Sequence, residues 1–152
     1  MSAAEIIELS VGIELECAGL YEVFAKNFQG RAELAYFWKL YAEAERYHAA
    51  SIRIHQATFT GEGQAAPAAD LEAARAFLAE LRGLRTRYEK QPATIAEALK
   101  AARMVEERSE EMHGRTQFFA SNPDLHELFV QMAEEDRAHR DMLTTAERKF
   151  GG

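Results

Sequence analysis

The sequence predicts an all-α protein, on three observations. Long stretches are built from Ala, Leu, Glu and Arg, all good helix formers. Apolar residues recur at three- and four-residue intervals, and the alternating β-branched runs of strands are absent. The helix breakers fall in few places: Pro67, Pro92 and Pro123 are the three prolines, and Gly61-Glu62-Gly63 is the clearest glycine cluster. At 152 residues the chain suits a single domain spanning 1–152, with a core of its own.

The first helix is expected from Ser2 to Phe28, with Gly30 as its stop. The second runs from Ala32 to Phe59, ahead of Thr60-Gly61-Glu62-Gly63, and a small-residue linker follows to Ala69. Asp70 then caps a shorter helix reaching Tyr88, whose apolar stripe includes Leu71, Phe77, Leu81 and Tyr88. The next helix follows Pro92 and continues to Ala120. The last opens at Asn122-Pro123, a capping residue followed by proline at the first helical position, and continues to Phe150. Four of the five are long, at about 40 Å each. Tight turns at Gly30 and Asn122-Pro123 fold them into two antiparallel hairpins. The segment between 60 and 92 must then return the chain along the bundle. The expected fold is a four-helix bundle of two hairpins joined by a long crossover that contains an extra helix.

Composition excludes several functions. Eighteen Lys and Arg against 25 Asp and Glu give a formal charge of −7. That balance argues against nucleic-acid binding and against docking on anionic lipid. One cysteine, Cys17, allows no internal disulfide framework and no all-cysteine metal site. No uncharged run approaches the ~18 to 20 residues of a membrane span. The start, Met1-Ser2-Ala3-Ala4-Glu5, lacks a basic leader segment, so a cytoplasmic location is expected.

The hairpins repeat one another. Ala42-Glu43-Ala44-Glu45-Arg46-Tyr47-His48 aligns with Ala133-Glu134-Glu135-Asp136-Arg137-Ala138-His139 at an offset of 91, and the apolar pairs Leu34/Leu125, Trp38/Phe129 and Ile52/Leu143 keep that offset. Such a repeat implies a pseudo-twofold bundle in which matching positions converge on the axis. The core-facing stripe of the second helix carries Glu45 and His48 at its middle; that of the last carries Asp136 and His139, and that of the first carries Glu14. Unpaired carboxylates in a core are costly. Several acids and two histidines at one level therefore point to a shared cation. Residues three apart share a helix face, so each acid-x-x-His pair can present an oxygen and an imidazole to one point. This donor set suits iron or manganese, with zinc and copper admitted on affinity. From 25 acids and five histidines about one such pair is expected by chance. There are three, counting Glu110/His113, and two of them are related by the repeat.

This pattern resembles the rubrerythrin-like branch of the ferritin-like superfamily, whose bundle helices carry in turn Glu, Glu-x-x-His, Glu and Glu-x-x-His. The resemblance selects Glu14 over Glu16, because the family's ligand lies seven residues before an aromatic position, here Tyr21. It takes Glu45 with His48 and Asp136 with His139, the Asp standing where the family has Glu. Aligning His113 with the family's second aromatic picks out Glu106, with small Ser109 between them. The ungapped repeat instead sets Val105 opposite Glu14, and a one-residue shift between the hairpins reconciles the two. Glu110 would be the additional carboxylate that rubrerythrins carry, and His113 a ligand or a base beside it. Tyr21 would hydrogen-bond a ligand carboxylate, with a redox role as the alternative. Cys17 reads as a small buried hydrophobe, His55 as a satisfied core or surface histidine, and His126 as an exposed residue outside the motif.

The resemblance implies two iron ions (Fe²⁺/Fe³⁺), replaceable by manganese or zinc, that react with hydrogen peroxide or O₂ in oxidative-stress defence. Rubrerythrins carry a rubredoxin-type domain with four cysteines on iron, which a single cysteine does not supply. The electron donor is therefore expected to be another protein, such as a rubredoxin, or a neighbouring subunit. Alternatives are an iron-storage protein whose centre oxidises Fe²⁺, and a di-iron monooxygenase. A homodimer is expected, with Tyr36, Phe37 and Phe118 off the seam as docking residues.

Overall fold

The computed structural model describes residues 3–57, 66–117 and 123–151. Nearly all of them lie in five helices: α1 (Ala3–Asn27), α2 (Ala32–Gln56), α3 (Ala68–Lys90), α4 (Ile95–Thr116) and α5 (Pro123–Phe150). The protein is an all-α bundle. The expected ends at Phe59, Ala120 and Asn122 fall outside the described residues, as does Phe118.

The helix starts show local chemistry. α4 opens with a reciprocal cap: the Glu97 amide donates to Thr94 Oγ1 at 3.2 Å, and the Thr94 amide donates to the Glu97 carboxylate at 2.9 Å. α3 begins three residues earlier than expected, with Pro67 rather than Asp70 in the capping position. The amides of Asp70 and Leu71 donate to the Pro67 carbonyl. Asp70 sits instead in the first turn, where an acid complements the helix dipole, and accepts from Arg115 at 3.0 Å.

Side-chain pairs between helices fix their directions. Gln56 meets Glu8 and Arg46 meets Glu22, so α2 is antiparallel to α1. Arg103 with Glu147 and Arg137 with Glu110 make α5 antiparallel to α4. α3 runs parallel to α1, tied by Arg75–Glu5 and Arg85–Glu16. Its pairs with α4, Arg115–Asp70 and Arg87–Glu97, are antiparallel. The long link through α3 thus returns the chain along the bundle, and α2 and α4 run the same way. At Gly19 a Cβ would lie 2.7 Å from a guanidinium nitrogen of Arg85, so a larger residue there would displace that side chain.

The interior is layered. One apolar cluster gathers Tyr21, Phe24, Trp38, Tyr41, Phe77 and Leu99. A second gathers Ile6, Ile7, Ile52, Leu71, Leu125 and Phe129. Trp38 packs against Tyr21, Phe24 and Phe37 with ring centroids 4.9–5.7 Å apart. Buried polar side chains lie along the same helices at the positions between the two clusters.

Candidate metal centre

Four helices contribute to the polar layer. α1 gives Glu14, α2 Glu45 and His48, α4 Glu106 and His113, α5 Asp136 and His139. Each side chain points inward because it replaces an apolar residue on its helix's core stripe. The first six are at most 3% exposed, while the His139 side chain keeps 16%.

Ligating atoms of Glu14, Glu45 and His48 all lie within 4.8 Å of one another, and so do those of Glu45, Glu106, Asp136 and His139. Glu45 belongs to both groups. His48 Nδ1 stands 3.1 Å from Glu14 Oε2 and 3.2 Å from Glu45 Oε2. His139 Nδ1 stands 3.4 Å from Glu106 Oε2 and 3.9 Å from Glu45 Oε1. Tyr21 donates to Glu106 Oε1 at 2.5 Å, and Tyr41 donates to the backbone carbonyl of His139 at 2.8 Å. His113 bridges the groups, with Nδ1 2.6 Å from Asp136 Oδ2 and Nε2 3.0 Å from Glu14 Oε1.

Hydrogen bonds within the protein do not satisfy this layer. Among the described residues, Glu14 Oε1, Glu106 Oε2, His113 Nε2, Asp136 Oδ1 and His139 Nδ1 are buried without a hydrogen-bond partner. His113 Nε2 and Glu14 Oε1 are close, yet the N–H direction misses the oxygen. Unsatisfied buried polar atoms are rare, and each costs on the order of 1–3 kcal/mol. Five in one layer, on carboxylates and imidazoles, form a donor set that could hold metal ions. Donors on one cation at ~2.1 Å lie up to about 4.2 Å apart, close to the spacing observed.

Without metal the layer is held by protons. Burial, with Glu106 and Glu14 beside it, pushes the Glu45 carboxyl well above the usual range. Burial raises Glu106 and Asp136 as well, although His139 and His113 respectively oppose the shift. Glu14 goes the other way: burial would raise it, but His113 and His48 hold it well below the ordinary range. Burial disfavours the charged imidazoles too, yet carboxylate neighbours prevail. Glu14 and Glu45 push His48 up to about 12. Asp136 and Glu14 push His113 up to about 9. A metal ion would displace these protons, as it does wherever its ligands must be deprotonated.

Compared with family models, curated proteins and solved structures, this chain has no match. The site therefore rests on its own geometry. Of the residues expected from sequence, Glu14, Glu45, His48, Glu106, Asp136 and His139 come together in the two groups. Val105, the other candidate on α4, lies in the apolar cluster. Glu110 is not brought in: it accepts from Arg137 at 2.8 Å and from Arg140 at 2.9 Å, at the surface between α4 and α5. The recorded partners of His113 are Glu14 and Asp136 rather than its sequence neighbour Glu110. Cys17 is buried, and His126 Nδ1 meets the Gln117 carbonyl at 2.8 Å.

Sequence reasoning missed Glu135. Its Oε2 lies 2.6 Å from His48 Nε2, so the outer imidazole nitrogen donates across the α2–α5 contact. That holds the ring with Nδ1 turned toward Glu14 and Glu45, so Nδ1 is the nitrogen open to a metal once its proton is lost. Glu135→Ala should weaken metal binding about 10–100-fold with the helical signal unchanged, as read by competition with a chromogenic chelator. Unaltered affinity would remove Glu135 from the centre. The repeat could not have revealed it, because its counterpart is Ala44.

Proposed function

We propose that this is a non-haem di-iron protein of rubrerythrin type, reducing hydrogen peroxide or O₂ with electrons from an external donor protein. The observation that carries the reading is Glu45, common to two buried ligand groups assembled from four helices. The helix directions support it, since two hairpins linked by a returning segment are the arrangement that the ferritin-like resemblance implies. Two bound iron ions would supply the electron pair that, with two protons, converts hydrogen peroxide to two molecules of water. The chain's own part is to hold and to shield. Glu45 spans the two positions. Glu135 orients His48, and Tyr21 occupies Glu106 Oε1, leaving Oε2 for an ion. The aromatic cluster around Trp38 excludes bulk water on one side. Asp136, short where the family has Glu, gives one oxygen to His113 and keeps the other free.

A second reading is oxidation of Fe²⁺ for iron storage. A groove over α4 and α5 favours it, lined by Glu107, Glu110, Glu111 and Glu134 beside Arg137 and Arg140. Anaerobic loading with Fe²⁺, elemental analysis and stopped-flow absorbance separate the readings. Two irons per chain, oxidised fast by peroxide and slowly by O₂, are expected. Fast oxidation by O₂ with many irons per chain would favour storage, and a chain that retains no metal after loading would overturn both.

A further inference from the structure

α2 carries two apolar stripes. The inner one, from Leu34 through Trp38, Tyr41 and Ile52, lines the core. On the opposite face Tyr36 is 63% exposed, Leu40 50%, Tyr47 68% and Ile54 69%. These four include most of the exposed large apolar residues among those described. Their spacing is regular. Leu40, Tyr47 and Ile54 are seven apart, and Tyr36, Glu43 and Ala50 form a second seven-residue series offset by four and three. That is the seam of a coiled coil, drawn on a face that a bundle helix ordinarily gives to solvent.

We propose that this face pairs with the same face of a second copy of the chain, α2 against α2 and antiparallel, about a twofold axis level with residue 45. The inference is independent of the metal reading. In that register Tyr36 meets the partner's Ile54, Leu40 meets the partner's Ala50, and Glu43 meets the partner's Tyr47. Symmetry repeats each pairing, giving six layers in a closed, self-complementary interface. Every large apolar residue but Tyr47 faces an apolar one. The Tyr47 hydroxyl instead faces the carboxylate of the partner's Glu43, which can accept a further hydrogen bond.

Charge selects the orientation. A parallel pair would stack Glu43 on the partner's Glu43 within the seam, two like charges in contact. The antiparallel pair sets Glu43 between its own Arg46, which it already binds at 2.5 Å, and the partner's Arg46. Lys39, Arg46 and Arg53 line one flank, with Arg46 offset by Glu43, so contact is closest on the other flank, where Ala44 and Ser51 are small. The area is also sufficient. Tyr36, Leu40, Tyr47 and Ile54 alone expose on the order of 500 Å², more than half of the ~800 Å² each partner contributes to a standard interface. The groove between α1 and α2, floored by Ala25, Ala35 and Ala42 and lined by Lys39 and Arg46, lies on the flank away from the closest contact.

Sedimentation equilibrium of the full chain at about 10 μM, where interfaces of low-micromolar Kd are populated, is the test. A dimer is expected. The Tyr47→Glu/Ile54→Lys variant should be monomeric, its Kd raised at least 100-fold, with helical content retained because both side chains are exposed in one copy. Orientation is read by cysteine cross-linking. Leu40→Cys/Ala50→Cys should oxidise to a covalent dimer, whereas Leu40→Cys alone should not; Cys17 is buried and stays out of the reaction. A monomeric wild type, or a dimer unaffected by the double charge substitution, would overturn the proposal. Cross-linking by Leu40→Cys alone would overturn the antiparallel register.

Discussion

On the proposed two-ion centre, Glu45→Ala should lower bound metal to fewer than one ion per chain, because both ligand groups contain Glu45. A residue confined to one group behaves differently. His139→Ala removes a ligand only from the group with Glu106 and Asp136, so about one ion should remain. The same Glu45 substitution should leave the metal-free chain at least as stable as the parent. Burial, and then the neighbouring Glu106 and Glu14, raise the pKa of its carboxyl, so in the absence of metal it weakens the fold above the ordinary carboxylate range. Elemental analysis and paired thermal scans, loaded and metal-free, check both halves. Retention of two ions by Glu45→Ala would remove this residue from the shared position, and with it the two-metal reading.

The metal-free chain should lose stability as pH rises from about 6.5 to 9. An unfolded histidine gives up its proton near 6.5. Folded His113 keeps its proton to about 9 and His48 to about 12. Across that window the folded state binds more protons than the unfolded one, so stability falls with pH. The raised carboxyls of Glu45, Glu106 and Asp136 act in the same direction from lower pH upward. Glu14 has the opposite sign, but its contribution changes only below the ordinary range, as acid protonates it. Metal reverses the trend, since each proton lost from a ligand favours binding. Saturation at 100 times Kd stabilises by about 2.7 kcal/mol, or roughly 5–10 °C for a chain of this size. The gap between loaded and metal-free melting temperatures should therefore be small near pH 5.5 and exceed about 5 °C at pH 8.5. A gap that closes as pH rises would show that the layer does not exchange protons for metal.

The fold was legible where one kind of residue decides the matter. Helix periodicity and the breakers at Gly30, Pro67, Pro92 and Pro123 located all five helices, because long amphipathic stripes survive any tertiary context. The start of α3 was not legible. Asp70 is a good capping residue, yet Pro67 offers a preset backbone angle three positions earlier and its carbonyl takes the first amides. The candidate centre was legible where an acid interrupts an apolar stripe, as at Glu14, Glu45 and Asp136. It was not legible where reach across helices decides. Glu110 lies one turn from Glu106, but only the packed structure shows Arg137 and Arg140 drawing it to the surface. Glu135 lies next to Asp136 on a largely exposed position, and only the meeting of α2 and α5 brings it to His48.

The polar layer also bears on how the bundle holds together from end to end. It divides the interior into an aromatic-rich cluster and a mainly aliphatic one, with the half-buried Leu9 touching both. Each is a small core, and cooperative unfolding requires that neither melt without the other. In the metal-free chain, proton-dependent ion pairs across the layer add to the tie made by α1, α2, α3 and α5, which run through both clusters. With ions bound, coordination bonds from four helices take over that role. The protein's ends would then behave as two loosely joined folding units or as one, according to what the middle holds.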